Sequence, residues 1–151
     1  MKSRLYLETT IPSYLTARPS RDLIVAAHQQ ITREWWDNRL ASFEIYISQF
    51  VLEEAGKGDP EAALLRLRIL DSIPLLEITE DVVFLSSELI QTGTIPKKGM
   101  WDAFHIATSA VHGIEYLMTW NCTHIANATI MRSIQKVCEQ CGFFCPVICT
   151  P

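Results

Sequence analysis

The sequence predicts a single α/β domain over residues 1–151, built on a mostly parallel sheet with helices on both faces. Its apolar runs are short and do not alternate strictly with polar residues, the pattern of strands buried on both sides. Segments of helical period separate these runs, and that order of elements favours parallel strands. With 48% hydrophobic and 20% charged residues in 151, the chain can bury a sizeable core. No internal repeat, low-complexity tract or linker divides it.

The elements follow in order. A strand is expected over Arg4 to Glu8, and Ile11 to Leu15 turn into a short helix with Pro12 in its first turn, where a missing N–H costs little. From Asp22 to Arg39 the residues Leu23, Ala27, Ile31 and Trp35 recur every four positions, a helical spacing whose apolar face serves a core or an interface. Ile45 to Ile47 form a short strand. Ser48 caps the next helix, which carries Val51, Leu52 and Ala55 and stops near Gly56 and Gly58. Asp59-Pro60 opens a helix with Leu64, Leu67 and Leu70 along one side. Ile73 to Ile78 make a third strand, interrupted near its start by Pro74. Thr79 caps a helix to Gln91, which leaves through Thr92-Gly93-Thr94. Gly99 precedes the helix of Asp102, which ends at His112-Gly113, a glycine suited to a left-handed cap. Glu115 to Thr119 give a fourth strand, Ala126 to Cys141 a last helix closed by Gly142, and Val147-Ile148 a fifth strand.

Composition narrows the function. A net charge of −4 and a pI near 5.5 argue against a broad basic nucleic-acid platform. They leave room for a nucleic-acid enzyme with a local basic rim, for which Lys97, Lys98, Arg18 and Arg21 are candidates. No apolar run approaches the roughly 20 residues that cross a bilayer, and the first residues enter a strand at once without the features of a signal or transit peptide. A cytoplasmic location is expected. Four of the five cysteines crowd into Cys138, Cys141, Cys145 and Cys149, without the longer loop that usually parts the ligand pairs of a zinc site. They read as reduced, partly buried thiols.

The chemistry lies in acids at the ends of apolar elements. Leu5-Tyr6-Leu7 ends on Glu8, the run after Ile47 ends on Glu53-Glu54, and Asp102 stands at a helix start. Asn121 closes the fourth strand. In a parallel sheet the site forms at the carboxyl ends of the strands, near a switch in strand order. Carboxylates gathered there from separate elements suit a hard divalent cation such as Mg²⁺ or Mn²⁺. Without a cation they would repel one another. A bound ion can neutralise a phosphodiester and orient a water for in-line attack, so no covalent nucleophile is required.

Four segments together resemble the PIN-domain proteins, and within them the VapC-like toxins of bacterial toxin–antitoxin pairs: YLETTIPSYL, ISQFVLEEAGKG, WDAFHIATSAVHGIEYLMTWNCTHI and PVICTP. The resemblance spans nearly the whole chain. It implies a three-layer α/β/α fold, an Mg²⁺- or Mn²⁺-dependent endoribonuclease acting on RNA, a small antitoxin partner and a homodimer. Glu8 falls where the family usually has an aspartate. Glu54 matches the helix glutamate, because Gly58 follows four positions later, with Glu53 as the fallback. Asp102 matches the central aspartate, Asn121 an aspartate or asparagine after the fourth strand, and His124 lies near a variable acidic position. Thr9 and Thr119 would steady ligands or water through their hydroxyls, and Lys98 would meet substrate beside His124. Two departures weaken the metal: Glu8 is longer by a methylene, and Asn121 brings a neutral oxygen, leaving three acids.

A second reading is a binding module with a weakened site, holding RNA or a protein without cutting. A cysteine–metal protein is the third. His105, three residues past Asp102, reads as a satisfied buried histidine or as a partner to the ligands. Trp120, beside Asn121, is the tryptophan placed to stack on a base.

Overall fold

The computed structural model describes residues 1–151. Its five strands are β1 (Ser3–Leu7), β2 (Phe43–Ser48), β3 (Leu75–Leu76), β4 (Tyr116–Met118) and β5 (Val147–Cys149). They form one sheet in the order β3-β2-β1-β4-β5, every neighbouring pair parallel. The central strand is therefore β1, and its Leu5, Tyr6 and Leu7 are all buried. A strand covered on both faces has no wet side, which is why its sequence does not alternate.

The order also fixes where a site can form. From β1 the chain adds β2 and β3 on one side, then returns to add β4 and β5 on the other. The carboxyl ends of β1 and β4 diverge at this switch point and leave a crevice between their following loops. Leu7 is in register with Met118, so Glu8 and Thr119 leave the sheet side by side.

Seven α-helices surround the sheet: α1 (Thr10–Thr16), α2 (Leu23–Arg39), α3 (Gln49–Ala55), α4 (Pro60–Leu70), α5 (Glu80–Gln91), α6 (Met100–Val111) and α7 (Ala128–Gln140). α1 packs against α2 and α4, and α5 against α6 and α7. α3 touches both groups, through α4 and α6. Side-chain caps start several helices: Asp22 accepts from the amides of Ile24 and Val25, Asp59 from that of Ala62, and Thr79 from that of Val82. Gly113 follows α6 at φ 63° and Gly142 follows α7 at φ 86°, left-handed positions where a side chain would be strained.

Several expectations change. Ser48 occupies the N-cap position of α3 without bonding to the helix, because its buried hydroxyl goes to Tyr6 instead. The third strand shrinks to Leu75–Leu76 at the sheet edge. The last helix begins at Ala128, capped by Asn127 rather than at Ala126. On α2, Leu23, Ala27 and Ile31 face solvent, and the buried residues are Gln29 and Thr32. Polar partners decide this: Thr32 accepts from the Trp120 indole at 2.8 Å, and Gln29 bonds to the Ser20 amide and the Arg18 carbonyl.

Candidate metal centre

Glu8 leaves the end of β1 into the crevice and is only 3% exposed. Three donors converge on its Oε1: the Thr10 amide at 3.1 Å, the Thr10 hydroxyl at 2.6 Å and the Thr119 hydroxyl at 2.7 Å. Thr119 is buried at the end of β4 and in turn accepts from the Asn121 amide at 2.9 Å. Thr10 accepts from the Trp120 amide at 2.8 Å. These bonds lock the carboxylate in one rotamer and leave Oε2 without a protein donor. No lysine or arginine pairs with Glu8. A buried carboxylate with no cationic partner is costly by itself and is relieved by a cation.

Glu54 comes from the last turn of α3 and is half-buried, while Glu53 is exposed. Its Oε1 accepts the Thr9 hydroxyl at 2.7 Å and meets His105 Nε2 at 2.5 Å. His105 is fully buried on α6, and its Nδ1 lies 2.7 Å from the Tyr6 hydroxyl, which lies 2.7 Å from Ser48 Oγ. Burial pushes the Glu54 carboxyl up, yet the hydrogen bond and charge of His105 outweigh it. With the Thr9 hydroxyl and the Lys57 charge added, the carboxyl is held below its ordinary value. Tyr6 moves the other way. Burial raises its hydroxyl far above the ordinary value, the Ser48 bond lowers it somewhat, and the charges of Glu8 and Glu54 raise it further. Tyr6 therefore keeps its proton.

Donor atoms of Glu8, Glu54 and His105 all lie within 4.8 Å of one another. Asp102, one helical turn before His105 on α6, falls outside that trio and organises a second group. Its Oδ1 accepts the Asn121 side-chain amide at 2.9 Å, and its Oδ2 meets His124 Nδ1 at 2.8 Å. Asn121 Oδ1 is spent on the amides of Thr123 and His124, so this residue presents nitrogen rather than oxygen to Asp102. Gly99 allows the close approach: a Cβ there would stand 2.7 Å from Ile95 Cγ2, 3.3 Å from His124 Nδ1 and 3.4 Å from Asp102 Oδ2. The two groups are joined through Glu8, Thr119 and Asn121.

The structure thus brings Glu8, Glu54, Thr9 and Thr119 into direct contact or within one bond of it. Asp102, Asn121 and His124 adjoin them, and Lys98 makes no bond to the network from its exposed turn. Thr10 and Tyr6 are additions to the expected site, and Ser48, expected as a helix cap, joins it through Tyr6. Tyr6 carried a signal, since it lies two residues before Glu8 in an otherwise apolar strand. Trp120 is anchored by its indole N–H, which donates to Thr32. One face of its ring lies on His28, with centroids 4.0 Å apart at 11°. The cysteines stay free, and no three of them approach closely enough to share an ion. The largest concavity, about 440 Å³ between the end of α1 and the start of α4, lies apart from the centre. None of the three concavities of the surface is lined by Glu8, Glu54 or Asp102.

The donor set fits a divalent cation: two carboxylates with unpartnered Oε2 atoms, one of them buried, and a third carboxylate beside them. No family model matches the chain, and no curated protein matches it. Among solved structures, a chain of the VapBC2 complex from Rickettsia felis, bound to a DNA fragment from their promoter, is similar. It is 19% identical, the match covers 79% of this chain and 88% of that one, and the TM-score is 0.51. The fold is accordingly a VapC-like PIN fold, and its five-stranded sheet is the central parallel sheet that the resemblance implies.

Proposed function

We propose that the protein is a metal-dependent endoribonuclease, the toxin of a toxin–antitoxin pair, using Mg²⁺ or Mn²⁺. The observation that carries this reading is Glu8: a buried carboxylate at the switch point, with no cationic partner, facing Glu54. The VapC-like fold supports the same reading and supplies the expectation of a small antitoxin and a homodimer. Glu8, Glu54 and Asp102 would hold the ion. When bound, it supplies the positive charge that neutralises a phosphodiester and acidifies a water.

The remaining work falls to the chain's own groups. Thr10 and Thr119 fix the Glu8 carboxylate, and Thr9 and His105 fix Glu54, so neither must reorganise when substrate arrives. Asn121 and His124 hold Asp102 from both oxygens. His124 Nε2 makes no protein bond and is left for solvent or substrate. Lys98 and Lys97 extend positive charge beside it.

RNA cleavage with Mn²⁺, with Mg²⁺ and with chelator tests the reading. Asp102→Asn should abolish metal-dependent cleavage, a loss of at least about 100-fold, with cooperative unfolding retained in chelator. Full activity in that variant would place the chemistry elsewhere. One observation favours the binding-module alternative: both Asp102 oxygens are already engaged by protein donors. On that reading the wild type binds RNA with the same affinity in chelator and in Mn²⁺, and cleaves it in neither.

A further inference from the structure

We propose that His105 Nε2 is itself a metal ligand, completing a Glu8–Glu54–His105 centre that takes a first-row transition-metal dication in preference to Mg²⁺. The inference rests on the metal-centre reading above and specifies its ligands. Geometry is the first argument. His105 Nε2 belongs to the one group of side-chain donors in the chain that lie within 4.8 Å of one another. The second is the state of Glu8, which stays buried with a bare Oε2 and no basic partner, a position stabilised by a positive centre.

The third argument is proton order. An imidazole that ligates through Nε2 must donate from Nδ1, and structures that bind metal provide an acceptor there. Here Tyr6 Oη, 2.7 Å from Nδ1, can accept there while its own proton turns to Ser48 Oγ at 2.7 Å. In the metal-free chain Nε2 and Glu54 Oε1 share a hydrogen bond of 2.5 Å. A bound ion would take the place of the proton between them, with the imidazole's proton then on Nδ1, and the two atoms would part to the roughly 3 Å usual for two ligands on one ion. Nitrogen ligation favours transition ions over Mg²⁺, which prefers oxygen alone.

Pulsed electron paramagnetic resonance of Mn²⁺ added to the full chain reads this directly. We expect a ¹⁴N coupling on bound Mn²⁺, replaced by a ¹⁵N coupling when the protein is made with ¹⁵N-histidine and no residue is changed. His124→Gln should retain the coupling. His105→Gln should lose it and weaken Mn²⁺ by at least about tenfold, while Mg²⁺ affinity changes less. Mn²⁺ bound with oxygen couplings alone would overturn the ligand assignment and leave a carboxylate nuclease centre intact. A coupling lost in His124→Gln would assign the nitrogen to the turn after β4 and also overturn it. No Mn²⁺ binding at all would remove the metal-centre reading together with the inference.

Discussion

At the scale of single residues, the centre is set by which atom of each side chain is already engaged. Glu8 spends one oxygen on three donors and keeps the other bare, whereas Asp102 has a donor on each oxygen. Asn121 shows how one atom changes the outcome. Its Oδ1 holds the amides of Thr123 and His124, and an aspartate would keep those bonds. Its amide nitrogen, though, lies 2.9 Å from Asp102 Oδ1, where a carboxylate would set two anions together. Asn121→Asp should therefore cost about 1–2 kcal/mol of stability in chelator. In Mn²⁺ the same change adds a charged ligand, so the metal-induced rise in melting temperature should exceed that of the wild type. A tenfold gain in affinity would correspond to about 1.4 kcal/mol. Melting curves in chelator and in Mn²⁺ check both halves, and a variant that melts like the wild type in both would contradict this view of Asn121.

Elements position these atoms, and here the reach of the sequence is clearest. Glu8 was legible because the apolar run Leu5–Leu7 ends on it, and Asp102 because it stands in the first turn of α6. The bonds around Glu8 were not legible, because Thr119 lies 111 positions away and becomes a neighbour only when β4 pairs with β1. Strand order is a property of the assembled sheet, and no local pattern encodes it. On α2 the apolar spacing of Leu23, Ala27 and Ile31 left core or interface open, and remote partners exclude the core: Trp120 and Arg18 recruit Thr32 and Gln29 to the inside. α3 depends on another remote contact. Arg66 of α4 donates to the Ala55 carbonyl at 2.9 Å and the Lys57 carbonyl at 2.6 Å, closing the end of the helix that carries Glu54. Arg66→Ala should cost about 1–2 kcal/mol, seen as a lower denaturant midpoint with an unchanged slope. Mn²⁺ affinity should fall with it. Arg66→Lys should recover only part, since a single ammonium does not match the fork that bridges two carbonyls. Equal Mn²⁺ affinity in all three proteins would show that α3 holds Glu54 without this clasp.

Across the whole molecule, the proposed function would have an acidic chain with a net charge of −4 meet a polyanion. Long-range attraction is unavailable, so any RNA affinity must come from a few cations near the centre. Lys97 and Lys98 occupy the exposed turn before α6, next to Gly99, which abuts His124 and Asp102. Lys57 is less available, because its ammonium sits 4.3 Å above the Trp101 ring and its charge acts on Glu54. Each lysine that neutralises a phosphate of a single strand releases counterions and steepens the fall of affinity with salt, by about 0.7 in the logarithmic slope. Measured on the Asp102→Asn background, where RNA should be bound and not cut, Lys97→Ala with Lys98→Ala should flatten that slope by roughly 1.4. Arg68→Ala, on the last turn of α4 before the edge strand β3, should leave it unchanged. The centre itself predicts the opposite sign for metal: a divalent ion between Glu8 and Glu54 adds a cation that monovalent salt does not displace, so Mn²⁺ should raise RNA affinity without steepening the slope. If the double lysine variant keeps the full slope while binding remains, the RNA runs along another face, and the concavity holding Arg18 and Arg66 becomes the next cationic surface to test.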